Sequence, residues 1–238
     1  MSGADRPVGV IGGVGPLATA YFLQRVVQRT RAERDQDHVD MVVLNHATIP
    51  DRTDFVLGRS DADPGPVLAR DARRLEDFGV SFLVMPCNTA HYFTQQVLDA
   101  ITVPFVSIVD VTVAASRRRV PGLETVGLLA TAGTVASRVY DDAFAQHGIS
   151  VITPEPDGQD VVNRVIYEQV KAGRPSDPDA LRTVAGRLVE RGASVVVLGC
   201  TELSVAAVDH GLLDEPPFLD SMDELVRATI EAAGHEVR

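Results

Sequence analysis

Short apolar runs alternate along the whole chain with longer stretches of helical spacing, and this order limits the fold more than any other feature. Val8-Gly9-Val10-Ile11 breaks at Gly12-Gly13-Val14-Gly15-Pro16. From Leu17 to about Arg34, apolar Phe22, Val26 and Val27 recur among polar Gln24, Arg25 and Arg29, the spacing of a helix. Asp40-Met41-Val42-Val43-Leu44 reads as a second strand, and Asn45 to Asp63 as a long loop holding Ile49-Pro50-Asp51-Arg52-Thr53. A helix from about Val67 to Phe78 leads into a third apolar run, Val80 to Pro86, and Pro104 to Ile108 is a fourth. Strands separated by helices pair in parallel through right-handed crossovers.

The same order then restarts. Thr125-Val126-Gly127-Leu128-Leu129 and its turn Ala130-Thr131-Ala132-Gly133-Thr134 repeat the opening strand and turn at an offset of 118 residues. Ser150-Val151-Ile152, helical stretches over 160–171 and 180–191, and the run Ala193 to Gly199 follow. The expected fold class is α/β: two pseudo-symmetric domains, each a parallel sheet flanked by helices, with the active site in the cleft between them. Residues 1–111 with about 218–238 form the first domain and 112–217 the second. The last stretch, Met222 to Ala233, is helical in pattern and returns to the first domain.

One apolar run in each half, Val80 to Pro86 and Ala193 to Gly199, leads directly into one of the two cysteines. Cys87 is followed by Asn88-Thr89-Ala90-His91, and Cys200 by Thr201-Glu202-Leu203, at an offset of 113. Each thiol therefore sits at the carboxyl end of a strand, where open parallel sheets bind ligands. One thiol from each half implies a cysteine on either face of a substrate. Two buried structural thiols are the plain alternative, and a bridge between them under oxidation is another. A Cys-His hydrolase pairing one thiol with His91 or His46 also stays open. No C-x-x-C or histidine cluster supplies a metal ligand set.

Charge and composition exclude some partners. A formal charge of −11 disfavours nucleic acid and anionic membranes, and makes an anionic ligand depend on a locally positive pocket. No apolar run is long enough for a bilayer, and Met1 to Pro7 lacks a signal core, so the expected location is the cytoplasm. Two cysteines are then expected to be reduced. The turn at Gly12–Pro16 offers backbone N–H groups to an anion. It lacks G-x-G-x-x-G spacing, so a small carboxylate fits it as well as a pyrophosphate, and a turn without ligand is also compatible. The chain has a single lysine, Lys171, against 21 arginines.

Five motifs in order resemble the aspartate/glutamate racemases that work without pyridoxal phosphate: Gly12–Pro16, Ile49–Thr53, Pro86–His91, Ala130–Thr134 and Gly199–Leu203. The resemblance covers nearly the whole chain; Val14 departs from it, standing where many members carry methionine. It implies an isomerase with no cofactor and no metal, a homodimer acting on a small acidic amino acid, most simply aspartate. Cys87 and Cys200 would be the catalytic pair, one starting as thiolate and one as thiol, which requires a thiol pKa lowered from about 8.5 at one position. Val14, Thr53 and Ala90 would line the substrate pocket, and Asn88, Thr89, Thr131, Thr134 and Thr201 would contact the α-carboxylate. Arg52 and Lys171 would be the cationic contacts, with Glu202 in support. Read by themselves, Arg52 is also an ordinary loop arginine and Lys171 a charge favoured at a helix end. Competing readings are a pyridoxal-phosphate racemase with Lys171 as Schiff base, a decarboxylase or maleate-isomerase-like enzyme of the same superfamily, and a non-catalytic amino-acid-binding protein.

Overall fold

A computed structural model describes residues 6–238. The chain divides into two compact units, one running to Ile108 and resuming at Met222–Arg238, the other Val109–Ser221. In the first unit, β1 (Val8–Gly12), β2 (Met41–Asn45), β3 (Leu83–Val84) and β4 (Phe105–Val106) form a parallel sheet in the order β2-β1-β3-β4. In the second, β5 (Thr125–Ala130), β6 (Ser150–Ile152), β7 (Val195–Gly199) and β8 (Phe218–Asp220) repeat it as β6-β5-β7-β8, again all parallel. The inner strands β1 and β7 are buried throughout, which is why they read as unbroken apolar runs rather than alternating ones.

Helices cover the sheets. Gly65–Phe78 and Pro178–Glu190 occupy matching places in the two units, each with a proline in its first turn and laying an apolar stripe on the sheet; Leu68, Ala72 and Leu75 are buried in one, Leu181, Val184 and Leu188 in the other. The stretch expected as a single helix over 160–171 starts earlier, at Pro156, and changes character. Pro156–Asn163 is α-helical and Arg164–Val170 is π-helical, so the Lys171 N–H reaches the Ile166 carbonyl five residues back. The expected long loop from 45 to 63 contains a short helix, Arg52–Val56, whose start is capped by Asp51 accepting from the Asp54 N–H at 2.9 Å.

β8 is a strand that periodicity did not reveal: three residues after Pro216-Pro217, paired with β7 from Val196 to Leu198. The chain rejoins the first unit at Met222, through the helix Ser221–Ala232. Asp223 on that helix receives Arg25 and Arg29 from the helix Pro16–Arg29. Burial pushes the Asp223 carboxyl up, but the two guanidinium groups outweigh it and hold it below the usual carboxylate range.

The turn after β1 depends on glycine. Gly13 has φ of +83°, and a Cβ there would lie 2.3–2.5 Å from the backbone of His46. Gly13→Ala is therefore expected to destabilise by about 2–4 kcal/mol through left-handed strain and backbone collision. Thermal unfolding followed by circular dichroism measures this; an unchanged midpoint would mean that the turn can open without cost.

Candidate active site

The two thiols occupy equivalent places in two equivalent sheets. Each follows the strand that pairs with the first strand of its unit, β3 beside β1 or β7 beside β5, at the carboxyl edge. Both cysteines are buried, and neither is in a disulfide.

In the first unit, Cys87 shares an apolar cluster with Val14, Ile49 and Ala90. Asn88 and Thr89 are buried beside it, on a 3-10 turn that covers Thr89–Phe93. The Phe93 ring of that turn meets Phe55 at 5.6 Å between centroids, which ties the turn to the helix Arg52–Val56. Arg52 and the half-buried Thr53 open this helix. The Arg52 guanidinium is held by its own loop: Nη1 donates to the carbonyls of Ile49 and Pro50 at 3.3 and 3.0 Å. Its Nε is buried and has no hydrogen-bond partner. The glycine turn is less open than expected, because the Gly13 N–H already donates to Thr19 Oγ1 at 3.0 Å. Threonine one helical turn beyond the glycines was the signal for this. His46, considered as a partner for a thiol, instead directs Nδ1 to the buried carboxylate of Asp71 at 2.6 Å.

In the second unit, four of the expected residues meet. Cys200 stands at the N-cap position of the helix Thr201–Asp209 without a side-chain capping bond, and its Sγ donates to Glu202 Oε2 at 3.0 Å. Thr201 Oγ1 donates to the same oxygen at 3.3 Å. Lys171 Nζ lies 3.7 Å from Glu202 Oε1 and 4.8 Å from the centre of the Tyr167 ring. Thr131 and Thr134 bond to one another through their hydroxyls at 3.0 Å, and Thr131 Oγ1 accepts the Thr134 N–H at 3.1 Å. Glu202, expected in support, takes a thiol, a hydroxyl and an ammonium group. Tyr167 was absent from the sequence reading, although its spacing of four from Lys171 was the available sign.

Cys200 holds its proton. Burial raises its pKa well above the ordinary value, the Glu202 carboxylate adds to this by charge and hydrogen bond, and Lys171 acts in the opposite sense. A helix N-terminus also favours thiolate, but here it is outweighed. Glu202→Gln removes the anion and frees Lys171 from its ion pair, so both changes favour thiolate. The pH at which Cys200 becomes reactive toward iodoacetamide is expected to fall, with faster alkylation at neutral pH. A profile identical to the parent's would show that Glu202 does not control the thiol.

Among the described residues no cluster of histidine, cysteine or carboxylate side chains could hold a metal ion, and no helix is long and apolar enough to cross a membrane. A family model described as Asp/Glu/Hydantoin racemase matches residues 11–229. The chain is 27% identical over 227 residues to the broad specificity amino-acid racemase RacX of Bacillus subtilis, covering 94% of this chain and 96% of that protein. It is 32% identical over 203 residues to a glutamate racemase of Deinococcus radiodurans, covering 82% of this chain and 63% of the relative. Among solved structures, the aspartate racemase of Picrophilus torridus superposes with a TM-score of 0.81 at 28% identity, covering 98% of this chain and 96% of that one.

Proposed function

We propose that this chain, which belongs to the Asp/Glu/Hydantoin racemase family, interconverts the L and D forms of an acidic amino acid, aspartate first, by proton transfer between two cysteines and without pyridoxal phosphate. The observation that carries the reading is the repetition: two sheets of the same strand order, each delivering one buried thiol at its carboxyl edge. Inversion at Cα needs a base on one face and an acid on the other, and a matched pair of thiols supplies both. A binding protein has no use for such a pair, and a decarboxylase needs one thiol.

In this reading Cys87 removes the Cα proton of one enantiomer. Cys200, protonated against Glu202, returns a proton to the opposite face. The reverse reaction exchanges the roles. The Cα proton of an amino acid is a very weak acid, so the developing enolate charge has to be met by positioned donors. Asn88, Thr89, Thr131, Thr134 and Thr201 are assigned to the α-carboxylate, and Arg52 with Lys171 to the side-chain carboxylate. The planar fork of Arg52 suits a carboxylate. Val14, Thr53 and Ala90 line the pocket. A homodimer is the assembly assigned, which light scattering tests.

The experiment is proton NMR of L-aspartate, L-glutamate and a panel of neutral L-amino acids in deuterated buffer without added pyridoxal phosphate, with products separated on a chiral column. Loss of the Cα signal with appearance of the D form is expected, fastest for aspartate. Faster turnover of neutral substrates would shift the assignment towards broad specificity. No exchange with any of them would move it to the isomerase branch.

A further inference from the structure

Cys87 lies beyond the ladder of its own sheet. β3 ends at Val84, and the Cys87 N–H turns back to the Met85 carbonyl at 2.8 Å. Strand pairing therefore does not fix the direction of this thiol. The ring of His91, four residues on, reaches the Cys87 carbonyl. The Ile108 N–H donates to His91 Nε2 at 3.1 Å, so Nε2 carries a lone pair and the ring proton is on Nδ1. Nδ1–H then donates to the Cys87 carbonyl oxygen at 2.8 Å. The ring lies against Phe105, with 5.6 Å between centroids.

Only a neutral imidazole can accept at one nitrogen and donate at the other. Burial lowers the His91 pKa from 6.5 to about 4, outweighing the hydrogen bond to the Cys87 carbonyl, which raises it, so the neutral form persists wherever a thiol begins to ionise. Ile108 opens the helix Ile108–Arg119 and is the residue after which the chain leaves the first unit.

We propose that His91 is the positioning residue of Cys87: its Nδ1–H, kept on that nitrogen by the Ile108 N–H bound at Nε2, holds the Cys87 carbonyl and so sets the direction of the thiol. It acts through the backbone and touches no substrate. The inference rests on Cys87 being a proton-transfer group, where a displacement of about 1 Å is worth about 10²-fold in rate.

Two substitutions separate the arms of the clamp. Asparagine places a donor where Nδ1 sits and keeps the bond to Cys87; glutamine reaches the Nε2 position and keeps the bond from Ile108. His91→Gln is expected to lose about 10²-fold in kcat for aspartate with KM near the parent value. His91→Asn is expected to recover most of that loss. Alkylation of Cys87 by iodoacetamide, followed in a Cys200→Ala background, is expected to be faster with His91→Gln and close to the parent with His91→Asn. Parent-like kcat in His91→Gln would overturn the proposal, as would equal losses in both variants that follow their unfolding temperatures. Should the chain prove inactive on amino acids, the alkylation rates still decide: an unchanged rate in His91→Gln overturns the clamp, whatever the substrate.

Discussion

Cys87→Ala and Cys200→Ala are each expected to lower racemisation of aspartate by about 10³-fold or more, the usual worth of a positioned acid or base. The two variants should differ in what remains. With Cys200 absent, Cys87 can still exchange the Cα proton of one enantiomer with solvent, without inverting it. With Cys87 absent, the residual exchange should favour the opposite enantiomer. Both thiols sit in close-packed surroundings at the ends of buried strands, so alanine removes little volume and the fold should persist; circular dichroism checks this. Retention of full racemisation by either variant would end the two-thiol mechanism, and single-enantiomer exchange in both would establish which face each thiol serves.

Arg52→Ala is expected to lower kcat/KM for aspartate by about 10²-fold, with most of the loss in KM, as for removal of a charge-assisted hydrogen bond to a carboxylate. The structural ground is the Nε of Arg52, buried without a partner while Nη1 is held by two loop carbonyls. Leaving a buried donor unsatisfied costs about 1–3 kcal/mol, a cost that a bound carboxylate would relieve. Arg52→Lys should restore only part of the activity, because an ammonium group has no fork. Steady-state kinetics with aspartate and with alanine separates the cases. Equal losses on both substrates would make Arg52 a loop residue that shapes the site rather than a contact for the side-chain carboxylate.

Much of the architecture was legible because buried parallel strands have an unmistakable signature. Val8–Ile11, Thr125–Leu129 and Ala193–Gly199 are apolar runs cut off by glycine or small polar residues, and each became an inner strand. Edges and short elements were not legible. β8 is three residues long and follows two prolines, too little for any period to emerge. The π-helical turn before Lys171 leaves no mark in hydrophobic spacing, because Val165, Ile166 and Val170 suit either winding. At the site, residue types were readable and partnerships were not. Glu202 two residues after Cys200 could cap a helix or orient a thiol, and only coordinates show its carboxylate on Sγ. His91 was equally open, since a histidine one turn beyond a cysteine says nothing of which nitrogen carries the proton.

The surroundings of the two thiols are unequal: Cys200 faces a carboxylate, whereas the corresponding position after Cys87 is Thr89. A mirror-image pair has the same free energy in water, so the equilibrium constant of the proposed reaction is unity whatever the protein does. The Haldane relation then requires kcat/KM to be equal for the two enantiomers. The inequality between the halves can appear only as compensating changes, the enantiomer that is turned over faster also having the larger KM by the same factor. In the proposed reaction Glu202 would act on how the enzyme divides its time between two liganded forms, and would leave the racemic end point untouched.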